Sequence, residues 1–163
     1  MAKKDISKAP KKDISKDRGH KISFKFDGRT YSDTTALLEL ERIIPEETRS
    51  ALNRAPAKYA YWAGLKADIV EAFRDATTDY EVWWAKVFYE AEKEYPARTA
   101  AGTIKNEVIL CNVTEYKRWK KKLSELQTGI DKSGALADSF EIQSRTLQTV
   151  GGLLRREMEM TRE

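Results

Sequence analysis

Five of the six residues from Lys117 to Lys122 are basic, in the order Lys117, Arg118, Trp119, Lys120, Lys121, Lys122. Like charges crowded on little more than one helical turn repel one another by a few tenths of a kcal/mol per neighbouring pair. A polyanion relieves that repulsion, so the chemistry on offer is phosphate binding. The basic charge extends around the run. From 96 to 122 the cations are Arg98, Lys105, Lys117, Arg118, Lys120, Lys121 and Lys122 against Glu107 and Glu115, a net +5. From Tyr59 to Tyr95 four cations, Lys86 among them, meet eight carboxylates, a net −4. Aromatic residues gather at the same place: Trp83, Trp84, Phe88, Tyr89, Tyr95, Tyr116 and Trp119. Bases of a single strand stack on such rings at about 1 to 3 kcal/mol each. Most of these rings fall at core positions of the repeat described below, which leaves Trp84 and Tyr89 as the candidates for base stacking. The competing account is a solvated charged face, balanced by Asp and Glu of a neighbouring helix.

No catalytic constellation accompanies this patch. There is no glycine-rich phosphate loop, no Ser, His and Asp set and no Cys and His pair, and the carboxylates have the spacing of a solvated helix face. The chain has one cysteine, Cys111, and one histidine, His20. A lone residue of each kind makes neither an internal disulfide nor an imidazole cluster for zinc. Neither a metal nor a cofactor is expected, and the chain reads as a binding or assembly protein.

The elements that must carry the patch are two long helices. In the first arm Trp62, Leu65, Ile69, Ala72, Ala76, Tyr80, Trp83 and Val87 advance by three or four residues and share one helix face. In the second, Tyr116, Trp119, Leu123, Leu126, Ile130, Ala137, Phe140, Leu147 and Leu154 follow a period of 3.5, with Ser133, Ser144 and Gly151 as its weak positions. A polar connector separates the two, which predicts an antiparallel pair; forty residues of helix span about 60 Å. The 34% of charged residues against 40% of hydrophobic ones suits such an elongated, much exposed body.

Before the arms, residues 1 to 21 hold eight Lys or Arg against three Asp, a net +5. KKDISK occurs there twice, at Lys3 to Lys8 and Lys11 to Lys16. A segment with so little to bury is expected to be disordered, serving either as a basic arm for phosphates or as a solubilising extension. Ile22 to Phe26 alternates, Asp27 and Gly28 suit a type I′ turn, and Arg29 to Tyr31 returns, which predicts a β-hairpin that needs a helix or a neighbouring subunit to rest on. Ser32 is placed to cap a short helix through Leu37, Leu38, Leu40 and Ile43, Pro45 to open the next with Glu46 and Glu47 in its first turn, and Pro56 to break or kink it.

The expected fold is therefore all-α. A disordered basic tail occupies 1–21, a β-hairpin and short helices occupy 22–55, and the long helical hairpin occupies 56–160. No run approaches the roughly twenty apolar residues of a membrane span, and the N-terminus lacks the apolar core of a signal peptide. No membrane contact and a cytoplasmic location are expected.

Over residues 56–158 the order of several segments resembles the UvsY-type recombination mediators of tailed phages: YAYWAGLKADIVEAF, YEVWWAKVFYEAEKEYP, the connector TAAGTIKNEVI, EYKRWKKKLSEL and ALADSFEIQSRTLQTVGGLLRREME. Residues 1–55 lie outside the resemblance. It implies a small helical protein that assembles as a homo-oligomeric ring of several subunits, binds single-stranded DNA and helps a RecA-like recombinase displace the single-strand-binding protein. The host cytoplasm would be its location, and the chemistry of loading would lie in the recombinase ATPase. Family members use two basic residues near the end of the first long helix for DNA. Lys86 matches the second and Trp84 replaces the first, a deficit that Lys117 to Lys122 can make good. A non-enzymatic helical scaffold or chaperone that binds only protein is the alternative.

Overall fold

The computed structural model describes residues 20–35, 45–96 and 99–161, with side chains from residue 50 onward in the second stretch. The basic tail before His20, the short helix expected through Ile43, and Arg98 lie outside the described residues. Five elements follow in order: β1 (Lys21–Phe26), β2 (Arg29–Thr34), α1 (Pro45–Glu94), α2 (Ala101–Cys111) and α3 (Val113–Met160).

Helices α1 and α3 run antiparallel in close contact, as the apolar rhythm predicts. Across the seam Leu52 approaches Gly151, Lys66 approaches Gly134 and Ile69 approaches Gly129. Further along, Tyr80 meets Trp119 and Trp84 meets Tyr116. The apolar positions named in both arms are buried or half-buried. At 50 and 48 residues the two helices extend about 75 and 72 Å at 1.5 Å per residue.

Four local expectations are corrected. Helix α1 passes through Pro56 without a break. The proline has no N–H to donate to the Leu52 carbonyl, yet packing on both sides outweighs that loss: Leu52 lies against Gly151, and Ala55, Trp62 and Leu65 are buried. Ser32 caps no helix; it sits in β2 opposite Ser23. The connector is itself helical over Ala101–Cys111, because Ile104 and Val108, four residues apart, give it a buried edge. Finally, the best-buried leucine of α3 is Leu136, while Leu123, Leu126 and Ile130 of the predicted seam are only half-buried.

The two-stranded antiparallel hairpin turns at Asp27 and Gly28, both with positive φ (47° and 70°), as a type I′ turn requires. It rests on the helix pair. Phe24 enters the core among Trp62, Leu65, Ile69, Leu136, Ala137 and Phe140, and Lys132 Nζ donates to the Ser23 carbonyl at 2.7 Å. Gly129 lies at this junction, where a Cβ would stand at ordinary contact distance, 3.4 Å from Ile69 and 3.7 Å from Phe24. Asp33 locks the other strand to α1. Its carboxylate accepts from Lys58 Nζ at 2.9 Å, from the Trp62 indole at 3.2 Å and from the Thr34 amide at 2.8 Å.

Two outcomes follow from this packing. Leu136→Ala should cost about 2 to 5 kcal/mol in urea unfolding, and Leu126→Ala distinctly less, because cavity cost scales with burial. Burial pulls the Asp33 pKa up, but the bonds from Lys58, Thr34 and Trp62 outweigh it and hold it below the ordinary 3.8. A depressed carboxylate contributes stability above its unfolded pKa and loses it as pH falls through the folded value. Native chain should therefore lose stability below about pH 4, and Asp33→Asn should flatten that part of the profile; an identical acid limb in both would exclude Asp33 as its source.

Candidate nucleic-acid interface

The cationic run lies on the first turns of α3, and Lys117, Arg118, Lys120, Lys121 and Lys122 are all exposed. Their neutralisation by the facing arm, the competing account, does not occur among the described residues. Arg118 pairs with Glu115 at 3.5 Å and Lys121 with Glu125 at 3.9 Å, both on α3 itself. Exposed pairs of this kind contribute little. No carboxylate of α1 forms an ion pair with the run among the described residues.

Aromatic rings hold part of the run instead. Lys120 Nζ stands 5.1 Å from the Tyr80 ring centre and 5.6 Å from that of Tyr116. Lys122 Nζ stands 5.2 Å from Trp119. These rings belong to a ladder between the arms. Centroid separations are 5.9 Å for Tyr80 and Trp83, 6.5 Å for Trp83 and Trp119, 6.1 Å for Trp84 and Tyr116, and 6.3 Å for Trp84 and Phe88. All six rings are half-buried. Burial, with the neighbouring Tyr116, pushes the Tyr80 phenol up from its ordinary value of 10.0. The indole N–H of Trp119 is buried with no hydrogen-bond partner among the described residues.

Each expected site residue has a definite place. Trp84, expected off the seam, packs on Tyr116 and belongs to the ladder. Tyr89 is 59% exposed, and the Lys93 ammonium covers one face of its ring at 4.1 Å. Lys86 on α1 and Lys105 on α2 are exposed. Neither shares an ion pair or ring contact with the α3 run among the described residues. The coherent patch is thus the run on α3 with the rings of Tyr80, Tyr116 and Trp119 beneath it. The lysine and ring pairs went unread in the sequence, although their signal is present: Tyr116 to Lys120 and Tyr89 to Lys93 are four apart, Trp119 to Lys122 three apart, the spacings at which helical side chains meet.

Neither a family model nor a curated protein nor a solved structure matches this chain. Among the described residues no group of three or more His, Cys, Asp or Glu is placed to hold a metal ion. No described helix is long and apolar enough to cross a membrane.

The half-buried ladder makes its own prediction. Tyr116 touches both Trp84 and the Lys120 ammonium, so Tyr116→Ala should loosen the arms at this end, expose the indoles further to water and red-shift the tryptophan emission relative to native chain. An emission spectrum unchanged by the substitution would show that Tyr116 does not shape the ladder.

Proposed function

We propose that this chain binds single-stranded DNA and serves as a recombination mediator of the UvsY type, assisting a RecA-like recombinase against single-strand-binding protein without chemistry of its own. The observation that carries the DNA part is the α3 run: five exposed cations, no ion pair to the facing arm among the described residues, and half-buried rings below. Cations over rings keep their charge available to phosphate, which cross-arm ion pairs would not. The mediator part rests on the resemblance of the segments over residues 56–158.

The half-buried ladder supports assembly into a homo-oligomeric ring. Helices α1, α2 and α3 leave the six aromatic rings half-buried, and a neighbouring copy would cover them. Tethering several modest patches on one strand raises the overall affinity well above that of a single patch. A protein-only scaffold is the second reading, favoured by the exposed Ile142, Leu153, Met158 and Met160 along the far half of α3.

Equilibrium binding to a single-stranded oligonucleotide at several salt concentrations separates the two. Neutralising about three phosphates per protomer gives a slope of log affinity against log salt near −2 per engaged subunit, at roughly −0.7 per phosphate. Replacing Lys117, Arg118, Lys120, Lys121 and Lys122 with glutamine should flatten the slope and weaken binding. An unchanged slope removes the run from the site, and absence of binding at low salt leaves the scaffold.

A further inference from the structure

The β-hairpin joins α3 along a polar seam whose cations the DNA site described above leaves unused. A cavity of about 290 Å³ opens there, lined by Phe24, Lys25, Ser124, Glu125, Thr128 and Lys132. Lys25 comes from β1 and Lys132 from α3, so two cations on different elements share one small space. We propose that this cavity is a second phosphate-binding station, which takes a phosphodiester of the same single strand that the Lys117 to Lys122 run holds; the inference rests on that single-stranded DNA reading.

Three features favour a phosphate here. Lys132 is half-buried and anchored: its ammonium gives one proton to the Ser23 carbonyl at 2.7 Å and retains two more donors. The main chain of β1 adds another. In a two-residue hairpin the residues flanking the turn exchange hydrogen bonds, and alternate residues do so after them. Phe26, Phe24 and Ile22 therefore bond across to Arg29, Tyr31 and Asp33, their register partners, while Ser23 and Lys25 turn their peptide groups to the outer edge. The bond from Lys132 to Ser23 is that edge in use, and the Lys25 N–H faces the same way.

The third feature is position. Lys121, Glu125, Thr128 and Lys132 advance by four, three and four residues, so they follow one stripe of α3. Lys132 lies about 16 Å beyond Lys121 along the axis, at 1.5 Å per residue. A strand leaving the first run along this stripe reaches the cavity directly. Glu125 is the one carboxylate on the wall, and its Oε1 lies 3.9 Å from Lys121 Nζ. Against Lys25 and Lys132 it leaves a surplus of one positive charge, suited to a single phosphodiester. The Thr128 hydroxyl is spent on the Ser124 carbonyl at 2.8 Å, so the Ser124 hydroxyl is the side-chain donor left on the floor.

Lys25→Gln is the test, because that side chain is exposed and takes no ion pair among the described residues, so its loss should leave the fold intact. Binding is measured by anisotropy against salt for two single-stranded oligonucleotides, one only long enough for the Lys117 to Lys122 run and one long enough for both stations. For the long oligonucleotide the substitution should reduce the steepness of log affinity against log salt by about 0.7, with no change for the short one. Lys25→Arg should restore the native slope. An unchanged slope on the long oligonucleotide, while the glutamine variant of the first run still loses steepness, overturns the second station alone. Native chain that binds neither oligonucleotide overturns the reading beneath it. Loss of inorganic phosphate binding without loss on the long oligonucleotide marks an isolated anion site and also overturns the proposal.

Discussion

The insertion of Phe24 into the seam of α1 and α3 governs what the rest of the molecule can do. Phe24 packs beside Ile69 and joins Trp62, Leu136 and Phe140, so a third layer, the β-hairpin, sits on the helix pair. A pair of helices has one seam and cannot dry it alone; a single inserted ring lets Trp62, Leu65, Leu136 and Phe140 become a true core. Asp33 and Lys132 then fasten the two strands, one to each helix. The polar fastenings depend on the apolar one, since a hydrogen bond in water adds little until burial has brought its partners together.

At the other end of the pair α2 buries only Ile104 and Val108 and leaves the rings half-buried, and the chemistry of that end follows from this. Tyr80, Trp83, Trp84, Phe88, Tyr116 and Trp119 touch one another but stay half-buried. Rings in that state keep faces and edges available, and ammonium groups settle on them at 5 to 6 Å, attracted by the ring quadrupole. A lysine held in this way loses some side-chain freedom but none of its charge. The same lysine in an ion pair would have to surrender its carboxylate before meeting a phosphate. The distribution of acid along α1 therefore matters less than its net charge implies: the net −4 of that segment lies on faces that make no ion pair with the run among the described residues.

The parts of this architecture legible in the sequence were those set by period and by turn chemistry. Steps of three and four from Trp62 to Val87 located one seam, a 3.5 period located the other, and Asp27 with Gly28 fixed the hairpin. Misread features were those in which tertiary packing overrides a local preference. Pro56 disfavours helix at Ala55, but burial of Ala55 and Trp62 against α3 decides. Ser32 is a good cap, but a strand partner at Ser23 claimed it. Leu136 was passed over because a strict heptad from Ile130 points to Ser133 and Ala137, whereas a helix at 3.6 residues per turn drifts and brings Leu136 inward. Trp84 stands one residue beside the seam position Trp83, which places it off the seam by period alone, yet its large ring still reaches Tyr116 on the facing helix. At the site, the run of cations was plain from composition, while its support by rings required knowing that α1 supplies Tyr80 to the same surface.

The two halves of the proposed function are thermodynamically one. The ladder is incompletely covered in a single chain, so association that buries it is favoured by the apolar area removed from water. Yet the run of five cations lies on the same end, and bringing copies together there places like charge near like charge, an unfavourable term that a low-salt medium enlarges. A single strand threaded past the patches cancels that term at each one. By reciprocity, if the strand favours assembly then assembly favours the strand by the same free energy. In the proposed ring, a subunit that covers its rings with a neighbour and its lysines with phosphate satisfies both surfaces, whereas an isolated chain satisfies neither; grip on DNA and oligomerisation are then two measures of a single equilibrium.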